Sequence, residues 1–194
     1  WLPLIGAYTG ARLGEIAQLL VTDVFEEDGI WFFRIADTED ADDTSEKEVK
    51  NSESRRCIPV HTELQKVGFL TFVADARRSG VDRLFPNCER SEKTGKFDPY
   101  SKLFRRLLNS AGITDSRKVF HSFRHSMEDA MREAALEDSV MYRLSGRTLP
   151  HSSAGYGSGD TPKIRRALKE AMSKIEYEGL DLSHLYGAYP PKER

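Results

Sequence analysis

The sequence predicts an α+β chain, mostly α-helical, with one small antiparallel β-sheet. Three observations lead there. Apolar residues recur at helical spacing through most of the 194 residues. A single aromatic and β-branched run, Ile30 to Ile35, reads as a strand. A second short run, Arg56 to Val60, reads as its returning partner, with Pro59 marking an edge or an end.

The elements follow in order. Leu2 to Tyr8 reads as a buried helix that breaks at Gly10, and Leu13, Ile16, Ala17 and Leu20 continue at helical spacing. Between the strands, the acidic stretch Glu39 to Glu48 reads as a long exposed hairpin loop. Leu64, Val67, Leu70 and Ala74 mark one helix closing at Gly80. Asp98 is suited to cap the next, and Pro99 suits its first turn. The stripe of that helix is Tyr100, Leu103, Phe104, Leu107, Leu108 and Ala111, ending before Gly112. Phe123, Met127, Ala130, Met131 and Ala134 define another amphipathic helix. The last, entered through Thr161 and Pro162, carries Ile164, Ala167, Leu168, Ala171, Met172 and Ile175. The glycine-rich segment from Gly146 to Gly159 is expected to be flexible.

Composition narrows the function classes. Hydrophobic residues make up 39% and charged residues 31%, an ordinary balance for one folded domain. No apolar run approaches the ~18 residues of a membrane span, and no secretory signal opens the chain. Cys57 and Cys88 form no CxxC pair and suggest neither a zinc site nor a disulfide framework, so a cytoplasmic location is expected. The net charge of −2 lacks the basic excess usual in DNA-binding domains. Its distribution is uneven, however. Acid concentrates in 39–48, whereas base clusters at Arg55-Arg56, Arg77-Arg78, Arg105-Arg106, Arg117-Lys118 and Lys163 with Arg165-Arg166. Composition permits nucleic acid without showing it. The abrupt apolar opening, WLPLIGAYTG, reads as a domain taken from a longer protein.

Four local patterns carry chemistry. In Thr9-Gly-Ala-Arg-Leu-Gly-Glu15 a glycine turn opens a helix, with Arg12 in the first turn and Glu15 a turn later, where a carboxylate can orient a guanidinium. Taken alone, that spacing is better read as a surface ion pair on an amphipathic helix. Lys50 lies just before the second strand and can swing toward a ligand, although hairpin lysines also protect sheet edges. In His121-Ser-Phe-Arg124 the i, i+3 spacing sets an acid/base group beside an anion clamp, with His125 pointing elsewhere. A helix cap or a core residue is the other reading of His121. In Ser153-Ala-Gly-Tyr-Gly157, Tyr156 sits between glycines, where its hydroxyl can reach a substrate or simply occupy a loop.

The ordered set Arg, Lys, His-x-x-Arg, Tyr resembles the tyrosine recombinase (phage integrase) family. The resemblance runs through LPLIGAYTGARLGEIAQL, KNSESRRCIPVH, HSFRHSM, LSGR and AGYG, and extends to the tail IEYEGLDLSHL, which looks like the end of bacterial and prophage integrases. It implies the tyrosine recombinase catalytic-domain fold over residues 1–194, with a core-binding domain N-terminal to this chain. It also implies site-specific DNA recombination and integration through a 3′-phosphotyrosine intermediate. By the same resemblance Arg12 and Arg124 bind the scissile phosphate, His121 assists as acid/base, Lys50 protonates the leaving 5′-oxygen, and Tyr156 is the nucleophile. Glu15 supports Arg12. Lys50 is preferred to Lys47 by its spacing to the Arg-x-x-Pro strand.

These residue types suit the reaction. A phosphodiester needs cations at its nonbridging oxygens and an acid at a poor alkoxide leaving group. Arginines supply permanent planar clamps, and a tyrosine of ordinary pKa ~10 needs a neighbour to take its proton. Because the covalent bond conserves the energy of the phosphodiester, neither ATP, a metal nor another cofactor is expected. The implied partner is double-stranded DNA at attachment sites. A homo-tetramer on DNA, a monomeric isolated domain and a bacterial, nucleoid-associated location also follow. Residues 177–194 form a C-terminal tail that is either exchanged between protomers or packed on its own domain.

One position departs from the pattern. The family has Leu-x-Gly-His, with tryptophan sometimes in place of histidine, nine residues before the nucleophile, and here Arg147 stands nine residues before Tyr156. Arg147 can still donate to a phosphate oxygen. Alternatively His151, five residues before Tyr156, replaces the missing group, or the active site is impaired. The competing reading is therefore a DNA-binding domain with a degenerate recombinase site. A type IB topoisomerase shares the nucleophile logic, but the integrase-like GAR and LSG motifs favour the recombinase.

Overall fold

The computed structural model describes residues 1–35, 56–95, 97–147 and 161–189. Eight α-helices and a three-stranded sheet are found among them: α1 Leu2–Thr9, α2 Leu13–Ala17, β1 Val24–Glu27, β2 Ile30–Ile35, β3 Arg56–Pro59, α3 Thr62–Val67, α4 Phe69–Arg78, α5 Asp98–Ser110, α6 Ser122–Glu133, α7 Asp138–Ser145 and α8 Pro162–Met172. The predicted α+β class is the observed one.

The sheet has the order β1-β2-β3 and is antiparallel throughout, with Val24 opposite Phe33 and Phe33 opposite Ile58. Pro59 ends β3 on a sheet edge, as its missing N–H requires. The first hairpin was not foreseen. Asp28 and Gly29 both take positive φ, 52° and 74°, which is the two-residue turn that matches strand twist. The Asp-Gly pair was the available signal. The acidic stretch predicted as a hairpin loop lies outside the described residues, as does most of the glycine-rich segment.

The core forms where the helices other than α5 pack on one another and on the sheet. Ile5 of α1, Ile16 of α2, Phe33 and Ile35 of β2, Ile58 of β3, Leu64 of α3 and Phe69 of α4 are all fully or almost fully buried. Met127 and Met131 of α6, Leu144 of α7 and Met172 of α8 complete it. β2 is the central strand and buries both faces at Phe32-Phe33. Phe32 stacks on Phe25 of β1, away from the core proper.

Three predicted elements change in detail. The helix expected to run from Leu64 to Gly80 breaks at Gly68, whose φ of 102° caps α3 and starts α4. A Cβ there would lie 2.6 Å from the Tyr189 carbonyl oxygen, so the C-terminal segment packs against a position only glycine can fill. α2 stops at Ala17, short of Leu20, which is exposed. Asp98 is the first residue of α5 and Phe97 its cap, while the Asp98 carboxylate accepts from Thr94 Oγ1 at 2.6 Å.

The α5 stripe is the larger correction. Its periodicity is strongly amphipathic, yet no residue of α5 is buried. Phe104 rests on Phe120 and Phe123, while Leu103 and Leu107 remain about half exposed at 51% and 53%. Periodicity reports a face that can be covered, and the fold covers only its aromatic edge. The helix α7, by contrast, was not anticipated. Its Leu144 is fully buried, and Val140 and Met141 pack partly buried against the core.

The C-terminal segment from Tyr177 to Tyr189 packs on its own chain. Tyr177 donates its hydroxyl hydrogen to the Ala7 carbonyl, Tyr186 hydrogen-bonds Glu63 at 2.6 Å, and Tyr189 hydrogen-bonds Asp75 at 3.1 Å. Residues 190–194 of the tail lie outside the described residues. No described helix is long and apolar enough to cross a membrane, and Cys57 and Cys88 form no disulfide.

Candidate active site

The site is assembled at the meeting of α2, β3, the start of α6 and the end of α7. Gly10 takes φ +61° at the end of α1, and a Cβ there would come within 3.2 Å of the Met127 side chain. The close approach brings the turn carrying Arg12 against α6. Arg12 is the cap residue of α2, one step before the first turn where the spacing had put it. Glu15 accepts its backbone N–H at 2.8 Å, and Arg12 Nη1 lies 3.6 Å from Glu15 Oε1. The Arg12 guanidinium is about half exposed, at 48%, and Glu15 is buried at 2%.

The principal partner of Glu15 is a residue the motif analysis did not single out. Arg56, at the start of β3, places Nη2 2.9 Å from Glu15 Oε2, and its Nε donates to the Leu144 carbonyl at 3.2 Å. Both ends of the pair are buried. Burial pushes the Glu15 carboxyl up, but Arg56, the Arg12 backbone bond and the Arg12 charge outweigh it and hold it below its usual range. Glu15 is therefore an ionised carboxylate shared between a buried and a half-exposed arginine. Sequence contained a signal for Arg56 only in the Arg55-Arg56 pair, and nothing in spacing joins it to Glu15.

Arg124, in the first turn of α6, is buried. Its Nη1 donates to the Gly10 carbonyl at 3.2 Å and its Nη2 to the Ser145 carbonyl at 2.6 Å, so two helix ends orient the guanidinium. Burial, with Arg56 and Arg12 nearby, lowers its pKa to about 10, against the opposing pull of Glu15 and Glu128. It remains protonated at neutral pH. Such a fixed cation in a partly dry setting acts on a nearby anion more strongly than one in water.

His121 precedes α6 and makes no capping bond from its side chain, which removes the capping alternative. Its ring is exposed by area, yet partial burial first, then His125, Arg124 and Arg12, lower its pKa, with Glu128 opposing. The imidazole is thus mainly neutral at pH 7, the form that can accept a proton. His125 does not point elsewhere: its ring meets His121 edge-on at 5.2 Å. One helical turn of i, i+4 spacing brings the two together.

Arg147 directly follows Gly146, whose φ is +68° at the end of α7. A Cβ on Gly146 would sit 2.8 Å from Arg56 Nη1, so the chain turns there against the buried ion pair. Arg147 Nη2 lies 2.6 Å from Glu128 Oε1, a close ion pair off the direction of a hydrogen bond. Glu128 also lies 3.6 Å from Arg124 Nε and 3.8 Å from Arg132 Nη2. It too escaped the motif reading, although its i+4 spacing from Arg124 was a usable sign.

Arg12, His121, Arg124 and Arg147 are therefore brought to one electropositive locality. Lys50 and Tyr156 lie outside the described residues, as do Lys47 and His151. Among the described residues no group of three or more His, Cys, Asp or Glu side chains has a metal-binding arrangement. Chemically, the described part can bind an oxyanion through oriented guanidiniums and exchange a proton through a neutral imidazole.

No family profile matches the chain, and no curated protein matches it in sequence. Among solved structures it is similar to XerH site-specific recombinase bound to its difH substrate in a pre-cleavage complex, with a TM-score of 0.50 and 19% identity. That likeness covers 87% of this chain and 41% of the recombinase chain. The same recombinase bound to palindromic difH in a post-cleavage complex gives a TM-score of 0.49, 20% identity and coverage of 86% and 43%. The chain spans less than half the length of these recombinase chains, and the first of the two likenesses shows that its α+β fold is of the tyrosine recombinase kind.

Proposed function

We propose that this chain is the catalytic domain of a tyrosine-type site-specific DNA recombinase, an integrase that cleaves and rejoins DNA strands through a 3′-phosphotyrosine bond. The observation that carries the reading is the convergence of Arg12, His121 and Arg124 in a recombinase-like fold. Motif order groups the same residues.

In this reading Arg12 and Arg124 hold the nonbridging oxygens of the scissile phosphate, where charge shifts as the transition state forms. Tyr156 attacks phosphorus, and the bond to the 5′-oxygen breaks as the bond to the phenolic oxygen forms. His121 assists removal of the tyrosine proton, and Lys50 delivers a proton to the departing 5′-oxygen. Arg147 donates to the phosphate from the position where the family has histidine. Rejoining reverses these steps. Double-stranded DNA is the partner, with a homo-tetramer on paired sites, a monomer for the isolated domain and a core-binding domain N-terminal to it. A bacterial, nucleoid-associated location accords with such a role.

The test is an adduct assay. The protein is incubated with nicked suicide duplexes carrying candidate attachment sites, then separated on denaturing gels. A covalent band that vanishes in Tyr156→Phe is expected. A band that persists in that variant overturns the nucleophile assignment.

The contact between Arg147 and Glu128 favours a second reading, a DNA-binding domain with an impaired site, because that guanidinium already has an anionic partner. DNA binding with strong salt dependence, without an adduct on any candidate site, selects it.

A further inference from the structure

We infer that Glu128 is a positioning residue that holds Arg124 and Arg147 as one phosphate-facing pair. The inference rests on the recombinase reading for the identity of the anion, and on geometry alone for the clamp. Glu128 is on the inward side of α6, with its side chain 7% exposed. A buried carboxylate is retained only when cations and hydrogen bonds compensate its lost hydration. Here Oε1 faces Arg147 at 2.6 Å and Arg124 at 3.6 Å, and Oε2 faces Arg132 at 3.8 Å.

The layout matches the other side of the site. Glu15, buried, backs the half-exposed Arg12 and is itself locked by buried Arg56. Glu128, buried, backs Arg147, which is likewise 48% exposed, and also approaches buried Arg124. Each outward guanidinium is thus tethered to an inward carboxylate. Five arginines (Arg12, Arg56, Arg124, Arg132 and Arg147) against Glu15, Glu128 and the Asp129 that pairs with Arg132 leave positive charge in excess, so the tethers restrict the guanidiniums without cancelling the attraction for an anion. A histidine at position 147 would offer no comparable forked cation to Glu128. The departure at Arg147 and the carboxylate at Glu128 therefore form a single unit.

The test compares the full chain with Glu128→Gln, Arg147→Ala and the double variant. Two readouts are taken: the guanidinium N–H resonances of Arg124 and Arg147 in labelled protein, and single-turnover cleavage of a suicide duplex beside its dissociation constant. Glu128→Gln is expected to broaden or shift the resonances of both arginines. It should slow cleavage about tenfold, with DNA affinity changed less than about threefold, the pattern of lost positioning. Arg147→Ala should slow cleavage similarly, and the double variant should lose little more. Unchanged resonances in Glu128→Gln, or losses that multiply in the double variant, overturn the inference. If Glu128→Gln fails to fold, Arg147→Ala decides the matter from the exposed side by whether the Arg124 resonance moves. If the wild type forms no adduct, the recombinase reading falls, and the resonances alone uphold or overturn the clamp.

Discussion

Arg56 and Glu15 form a buried ion pair, 2.9 Å from Nη2 to Oε2, that joins the third strand to the second helix beneath Arg12. Removing one partner takes from a buried charge its nearest counter-ion, which costs about 3–5 kcal/mol where nothing else compensates, and here Arg12 and the Leu144 carbonyl offset part of it. Arg56→Ala and Glu15→Ala should each lower stability by an amount of that order in urea titrations. The double Arg56→Met/Glu15→Leu variant should lose much less, because no charge is stranded. Loss of under about 0.5 kcal/mol in the single variants would mean the pair is solvated in solution.

Gly146 is constrained twice. Its φ of +68° disfavours any side chain, and a Cβ would press on Arg56 Nη1 at 2.8 Å. Gly146→Ala should therefore destabilise by about 1–3 kcal/mol. It should also shift the Arg147 and Arg56 resonances together, since the glycine separates their positions. Thermal unfolding with NMR of the same variant checks both effects.

Stability should depend on pH through His61. Its ring stacks on Tyr8 at 4.3 Å, accepts the Glu63 backbone N–H at Nδ1, and donates from Nε2 to the Ile175 carbonyl at 3.1 Å. Burial lowers its pKa first, with Lys169 and Lys66 adding to that, against the opposing Ile175 bond and Glu63. The folded state thus binds this proton less readily than the unfolded state. The contribution is fully present above the ordinary histidine value of about 6.5 and is lost as pH falls through the depressed folded value. His61→Gln should flatten that part of the profile in denaturant titrations. A slope unchanged by the substitution would remove His61 as its source.

Replacing Arg147 by histidine should not raise cleavage. The substitution restores the residue type of the resembled motif but withdraws the cation nearest Glu128. Suicide-substrate assays on the wild type and Arg147→His measure this directly. A gain of about tenfold or more would show that the arginine is a defect, with its contact to Glu128 incidental.

Sequence alone determined the elements whose signals are local. Helical spacing through Phe123, Met127, Ala130 and Met131 corresponds to α6, and the buried methionines lie where that stripe predicts. Thr161 and Pro162 begin α8 as a cap and first residue, because capping is settled by atoms a few residues apart. Motif order likewise grouped Arg12, His121 and Arg124, whose places in the described structure bring them into one electrostatic neighbourhood.

What tertiary structure decided was partnership and coverage. Glu15 had a plausible local partner in Arg12, yet its closer one is Arg56, 41 residues away in sequence. Arg147 could be aligned by spacing, but only packing of α7 against α6 brought it to Glu128. The stripe of α5 was legible while its exposure was not, since a helix encodes an apolar face without encoding what covers it. Local propensities act through bonds spanning a turn or two. Ion-pair choice and burial depend on which distant surfaces meet, and that is settled only when the whole chain has packed.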